Sequence, residues 1–188
     1  VFAFCGILYS MEKKEKKKIF WFCLAGFLFV GAFGAVSHFF YEWSGKEPLV
    51  GVFFAANESV WEHLKLAIFP TLVFFLIGSV FLDAPNVLPA FFATLILPML
   101  LIPAIFYGYT AFTGEPIVAV DIATYFVSVA AAFALCFFVL TRPPLPKWVS
   151  ALAVPGIAAV SVCYLAFTLF PPHAPLFLDP VTGGYGLV

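Results

Sequence analysis

Five apolar runs, each long enough to cross a lipid bilayer, occupy most of this 188-residue chain and leave it few ways to fold. A spanning helix needs about 20 predominantly apolar residues. That template is met near Ile19 to Phe40, Leu66 to Leu82, Val87 to Phe112, Ile122 to Leu140 and Trp148 to Phe170. Hydrocarbon offers no partner to a backbone N–H or C=O, so such runs must satisfy their own hydrogen bonds as helices. The separators YEWSGKEP, LDAPN, TGEP, TRPPLPK and PPHAP carry proline, glycine or charge and stop helices. The expected fold is all-α, a polytopic transmembrane bundle of five spans. Composition agrees, with 64% hydrophobic and 10% charged residues, against roughly 25% charged in a soluble domain. With a net charge of -1 and no basic patch beyond the first twenty residues, nucleic acid is excluded as a partner. The lipid bilayer is the expected one.

Met11 followed by EKKEKKK reads as a natural start, making residues 1–10 an upstream or non-native leader and 11–188 a single transmembrane domain. The first apolar run has no small-x-small cleavage signal and is expected to be retained as a span. The cysteines at 5, 23, 136 and 163 form no C-x-x-C and read as packing residues. LVGVFFAA, residues 49–56, is too short to cross and is expected to lie in the interface or re-enter.

Charge orients the bundle. Lys13, Lys14, Lys16, Lys17, Lys18, Arg142 and Lys147 fall on one side, and the positive-inside rule makes it cytoplasmic. Only Lys46 and Lys65 fall opposite, with seven of the ten acids and all three histidines. The expected localisation is the cell (cytoplasmic) membrane of a bacterium, multi-pass, N-terminus cytoplasmic and C-terminus extracytoplasmic. The span centres hold no ionisable residue of the kind that coupled transporters use as relays. Pro70, Pro98, Pro103 and Pro155 interrupt spans, and Pro70 should free the carbonyl of Leu66.

Chemistry concentrates in NESVWEHLK, residues 57–65. On a helical wheel Glu58, Glu62 and Lys65 share one face at about 0°, 40° and -20°, with Trp61 at about -60° and His63 at about 140°. Glu62 and His63 together on one metal are disfavoured unless the helix begins later. A structural reading competes: Ser59-x-x-Glu62 fits a capping box, Asn57 an N-cap, and first-turn acids complement the helix dipole. At the end of span one, His38 and Glu42 lie at i, i+4 with Tyr41 beside them. His38 lies about 28 Å beyond Ile19 at about 1.5 Å per residue, at the outer hydrocarbon boundary. There it either bonds Glu42 or a carbonyl, or serves as a ligand. The H-x-x-x-E and E-x-x-x-E faces could form a site for zinc or another divalent metal, completed by His63, Asp121 and His173. Glu58 and Glu62 are the candidate catalytic pair. Tyr41, Glu42, Asn57, Trp61, Lys65, Asp179 and Tyr185 are the candidate polar or substrate contacts. Trp43, Trp61 and Tyr41 equally suit an interfacial aromatic belt.

The terminal PPHAPLFLDPVTGGYG has too many prolines for a helix and is too apolar for a solvated tail. It is expected to fold onto the outer face, bringing His173, Asp179 and Tyr185 toward the glutamates, although Asp179-Pro180 is also a turn starter.

HFFYEWSGKEPLVGVFFAANESVWEHLK and this tail resemble a family of small bacterial multi-pass membrane proteins known only as a domain of unknown function; NESVWEHLK is the most specific piece. The resemblance implies a stand-alone membrane domain and carries no activity. Neither the E-E-x-x-x-R of intramembrane prenyl-protein proteases nor the H-x-x-x-H of ceramidase-like hydrolases is present. The leading functional expectation is an outward-facing site for a divalent metal or polar headgroup, acting on a lipid-linked or envelope substrate, with a glutamate as general base. The alternatives are a small transporter or channel-like protein, oligomeric around a pore, and a non-catalytic partner of another membrane protein.

Overall fold

The computed structural model describes the backbone of residues 2–187 and side chains from residue 13 onward. Val1, Val188 and the side chains of Cys5 and Glu12 lie outside the described residues. Among the described residues the chain forms seven α-helices: α1 Phe2–Ser37, α2 Phe40–Trp43, α3 Pro48–Phe53, α4 Val60–Gly78, α5 Val87–Thr113, α6 Val118–Leu140 and α7 Lys147–Leu169. Five stretches are long and apolar enough to cross a membrane: Lys13–Ser37, Val60–Phe81, Val87–Thr113, Val118–Leu140 and Lys147–Leu169. The protein is a multi-pass membrane protein, and apolar side chains such as Leu76, Phe112 and Val118 face outward from the helices.

Helix starts and stops follow local chemistry. The second span begins at Val60, six residues before Leu66, because the Ser59 hydroxyl caps it and accepts from the Glu62 amide at 3.3 Å. Asn57 is not the cap; its Oδ1 accepts from the Ser59 amide at 2.8 Å, an Asx turn that aims Ser59. α5 ends at Gly114, whose φ of 78° suits a residue without Cβ.

Two apolar clusters hold the helices together. Cys23, Val30, Phe75, Ala90 and Phe133 join α1, α4, α5 and α6, and Phe75 stacks on Phe91 at 4.4 Å. Trp61, Leu64, Leu95, Tyr164 and Phe177 join α4, α5 and α7 to the segment after α7. Pro70 has no N–H for the Leu66 carbonyl, and the Tyr125 hydroxyl shares its one proton between the Val30 carbonyl at 2.7 Å and this carbonyl at 3.2 Å. Gly34 makes this crossing possible: a Cβ there would overlap Tyr125 and the Leu66 carbonyl. One turn beyond Gly34, α1 ends and His38 emerges beside α4.

At the opposite end, buried Asn86 fastens the α6–α7 loop. The two hydrogens of its Nδ2 are shared among the carbonyls of Val139, Arg142 and Pro143, at 3.1, 3.0 and 3.1 Å, and its Oδ1 accepts from the Leu145 amide at 2.9 Å.

Candidate functional site

The short helices α2 and α3 fold the 38–59 connection over the start of α4, and two ionisable clusters form there. The first is closed. Lys65 Nζ donates to Glu62 Oε2 at 2.7 Å, to the Gly51 carbonyl at 2.7 Å and, more weakly, to the Phe54 carbonyl at 3.4 Å. Glu62 Oε2 also accepts from the Ala56 amide at 2.8 Å, and its Oε1 faces the Thr168 hydroxyl at 3.5 Å. Both residues are almost fully buried, at 2% and 1% exposure. An ion pair with its hydrogen-bonding capacity taken up in this way clamps α3 and the 54–56 loop to α4.

The second cluster is open. His38 Nε2 lies 3.2 Å from His63 Nε2. Glu58 Oε1 lies 3.7 Å from His38 Nε2, and Glu58 Oε2 lies 3.5 Å from His63 Nε2. His63 Nδ1 faces the Ser59 carbonyl at 2.9 Å, which can only accept. Nδ1 is therefore the donor of this contact, and Nε2 is the nitrogen that His63 turns toward the cluster. The His38 imidazole, helped by His63 and opposed by partial burial, holds the Glu58 carboxyl below its ordinary range. One ligand atom from each of the three residues fits within 4.8 Å of the others. Ligands bound about 2.0–2.1 Å from a tetrahedral zinc stand about 3.3–3.4 Å apart, so the observed spacings need little adjustment.

The shared helical face expected for Glu58, Glu62 and Lys65 is not what forms. Because α4 begins only at Val60, Glu58 precedes the cap and swings toward His38 and His63, while Glu62 turns inward to Lys65. The late helix start is also what lets His63 join the glutamate that the wheel placed on another face. Glu62 does not close a capping box either: its carboxylate takes the Ala56 amide in place of Ser59's.

The remaining candidate residues take several places. Tyr41 is buried against Gly51. Glu42 is exposed, 3.9 Å from Lys46. Asn57 Nδ2 donates to the Gly186 carbonyl at 2.7 Å. Trp61 stacks on Tyr164 with ring centres 4.3 Å apart and also meets Phe177. Asp179 holds its own turn, accepting from the Val181 amide at 3.0 Å and the Thr182 hydroxyl at 2.6 Å. Burial alone would raise the Asp179 carboxyl; the Thr182 hydroxyl and nearby amides, Glu58's included, outweigh it and hold it low. His173 stacks on Tyr185 at 4.5 Å, and Asp121 accepts from the Tyr109 hydroxyl; neither His173 nor Asp121 belongs to the His38 group.

A cleft of about 390 Å³ adjoins the open cluster and is lined by His38, Glu58, Glu42, Lys46, Asp179 and Thr182 among others. Sequence reasoning missed Lys46, whose φ of 64° after Gly45 at 74° is a left-handed backbone. The adjacent glycine was the available signal.

A family model described as "Family of unknown function (DUF6512)" matches residues 9–187, and the chain belongs to that family. No curated protein and no solved structure matches.

Proposed function

For this member of a family of unknown function, we propose that His38, Glu58 and His63 hold a divalent metal ion, zinc before others, in a site that opens at one end of the membrane bundle. The carrying observation is the spacing of the three ligand groups, at 3.2, 3.5 and 3.7 Å, on separate parts of the chain. Two histidines and one carboxylate are a ligand set used by catalytic zinc, which keeps a fourth position for water or substrate. Glu58, with 49% of its side chain exposed, leaves the site accessible in that way. A structural zinc would instead be enclosed by four protein ligands. In this reading Glu58 is a ligand, Glu62 is structural, and the chemistry is metal-assisted hydrolysis or group transfer on a lipid-linked substrate. Oriented by its lysines, the site faces away from the cytoplasm.

The test is cobalt substitution of the purified protein in detergent. The expected result is about one equivalent of Co²⁺ with the intense visible bands of a four-coordinate site, lost in His38→Ala, Glu58→Gln and His63→Ala. Wild-type protein that binds no divalent ion overturns the proposal.

A further inference from the structure

We propose that the group received beside the ion is a phosphate monoester carried on an amphiphile, recognised jointly by the ion and Lys46. This rests on the metal reading of the same site and adds the substrate class.

His38, Glu58 and Lys46 line one cleft together with Phe39, Tyr41 and Val181. Once the ion is bound, the ion and Lys46 are the cleft's two seats for an anion. A divalent ion with one carboxylate ligand keeps one positive charge and Lys46 brings a second, which Glu42 and Asp179 formally balance. Glu42, 3.9 Å from Lys46, is 70% exposed and screened by water. The Asp179 carboxylate already accepts from the Val181 amide and the Thr182 hydroxyl. A tetrahedral group has anionic oxygens for both the ion and the ammonium, which suits phosphate better than a planar carboxylate.

Lys46 holds this place against its backbone preference. Among the described residues it is the one non-glycine with positive φ, at 64°. Glycine or asparagine would occupy the turn with less strain, so a lysine there points to a use for its side chain.

The rest of the ligand follows from the rim. Phe39 and Trp43 stack on each other with ring centres 5.8 Å apart, and both are exposed, as are Leu49 and Val181. Exposed aromatic and aliphatic side chains at helix ends belong at the headgroup level of a bilayer. A phosphate seated in the cleft would leave its attached chains beside this rim.

The experiment uses zinc-loaded full-length protein in detergent, titrated calorimetrically with dihexanoyl phosphatidic acid, dihexanoyl phosphatidylcholine and inorganic phosphate. Phosphatidic acid is expected to bind at least tenfold more tightly than either of the others. Lys46→Gly should lose tenfold or more in phosphatidic acid affinity while keeping its zinc and melting no lower than wild type, because glycine suits the left-handed turn. Equal binding of the two lipids, or undiminished binding by Lys46→Gly, overturns the role of phosphate and Lys46. Inorganic phosphate binding as tightly as phosphatidic acid overturns the amphiphile. Zinc uptake without any phosphatidic acid preference overturns this inference alone, whereas failure to take up zinc overturns the metal reading with it.

Discussion

Glu58 and Glu62 stand four residues apart at the start of one helix and meet opposite environments. Glu62 is enclosed with Lys65, and the pair's donors and acceptors are taken up by the Gly51, Phe54 and Ala56 backbone and by Thr168. Glu58 is half exposed and faces two imidazoles, which hold its carboxyl low but leave it open to the cleft. The difference separates two kinds of carboxylate. One whose partners are all enclosed within the protein holds the fold, and one that opens on a cleft beside two imidazoles is reachable from outside.

The sharpest way to break that comparison is to remove Lys65. Lys65→Met should destabilise the protein by about 3–5 kcal/mol, because it leaves Glu62 buried without a counter-charge. Lys65→Met combined with Glu62→Gln should recover much of the loss, and thermal unfolding in detergent measures both. If Lys65→Met melts like wild type, the pair is not the clamp described above.

Next in size is the open cluster. Glu58→Gln should shift stability by no more than about 0.5 kcal/mol, yet weaken zinc binding by more than the roughly 10–100-fold that losing an outer-shell partner costs. A competition titration with a chromophoric chelator reads the affinity. Equal damage to fold and binding would erase the distinction between the two glutamates.

Asn86 sharpens the comparison from the far end, since it too is buried with its amide fully engaged. Asn86→Ala should cost about 1–3 kcal/mol by leaving loop carbonyls and the Leu145 amide unpaired. Zinc affinity should stay as in wild type, measured by the same titration.

The smallest effect concerns pH. Asp179 is held below its ordinary value of 3.8. Its contribution is therefore present above that value and disappears as the pH falls through its lower folded value. The loss caused by Asp179→Ala near neutral pH should accordingly shrink under strong acid, as the wild-type carboxylate takes up its proton. Melting temperatures recorded down the acid limb check the sign; a gap that widens with acid would contradict it.

Much of the architecture was legible because spanning a bilayer imposes strict rules on composition. Apolar runs of the required length mark the helices, and proline-rich separators mark their ends to within a few residues. Even the consequence of Pro70 could be anticipated, as a free carbonyl at Leu66; that Tyr125 would answer it could not, because the hydroxyl comes from a helix 59 residues away. The site was legible as a neighbourhood. His38, Glu58 and His63 were all among the candidates, but the wheel drawn from residue 58 separated His63 from Glu58. Moving the helix start to Val60 undid that separation, and the competition among Asn57, Ser59 and Glu62 for the capping amides decides where the helix starts. Lys46 escaped notice because Gly45 signals a left-handed turn without saying that the residue after it shares that backbone.

The sequence by itself determined the class of solvent this protein folds in, the number of helices that cross it and the end at which its acids and histidines gather. Those properties follow from sums over residues, such as hydrophobic length and charge along the chain. Only the tertiary structure decided which glutamate lies inside and which faces the histidines. That outcome depends on Gly34 letting α1 approach α4 and on Lys65 drawing one carboxylate inward, contacts between segments that no periodicity within a single segment records.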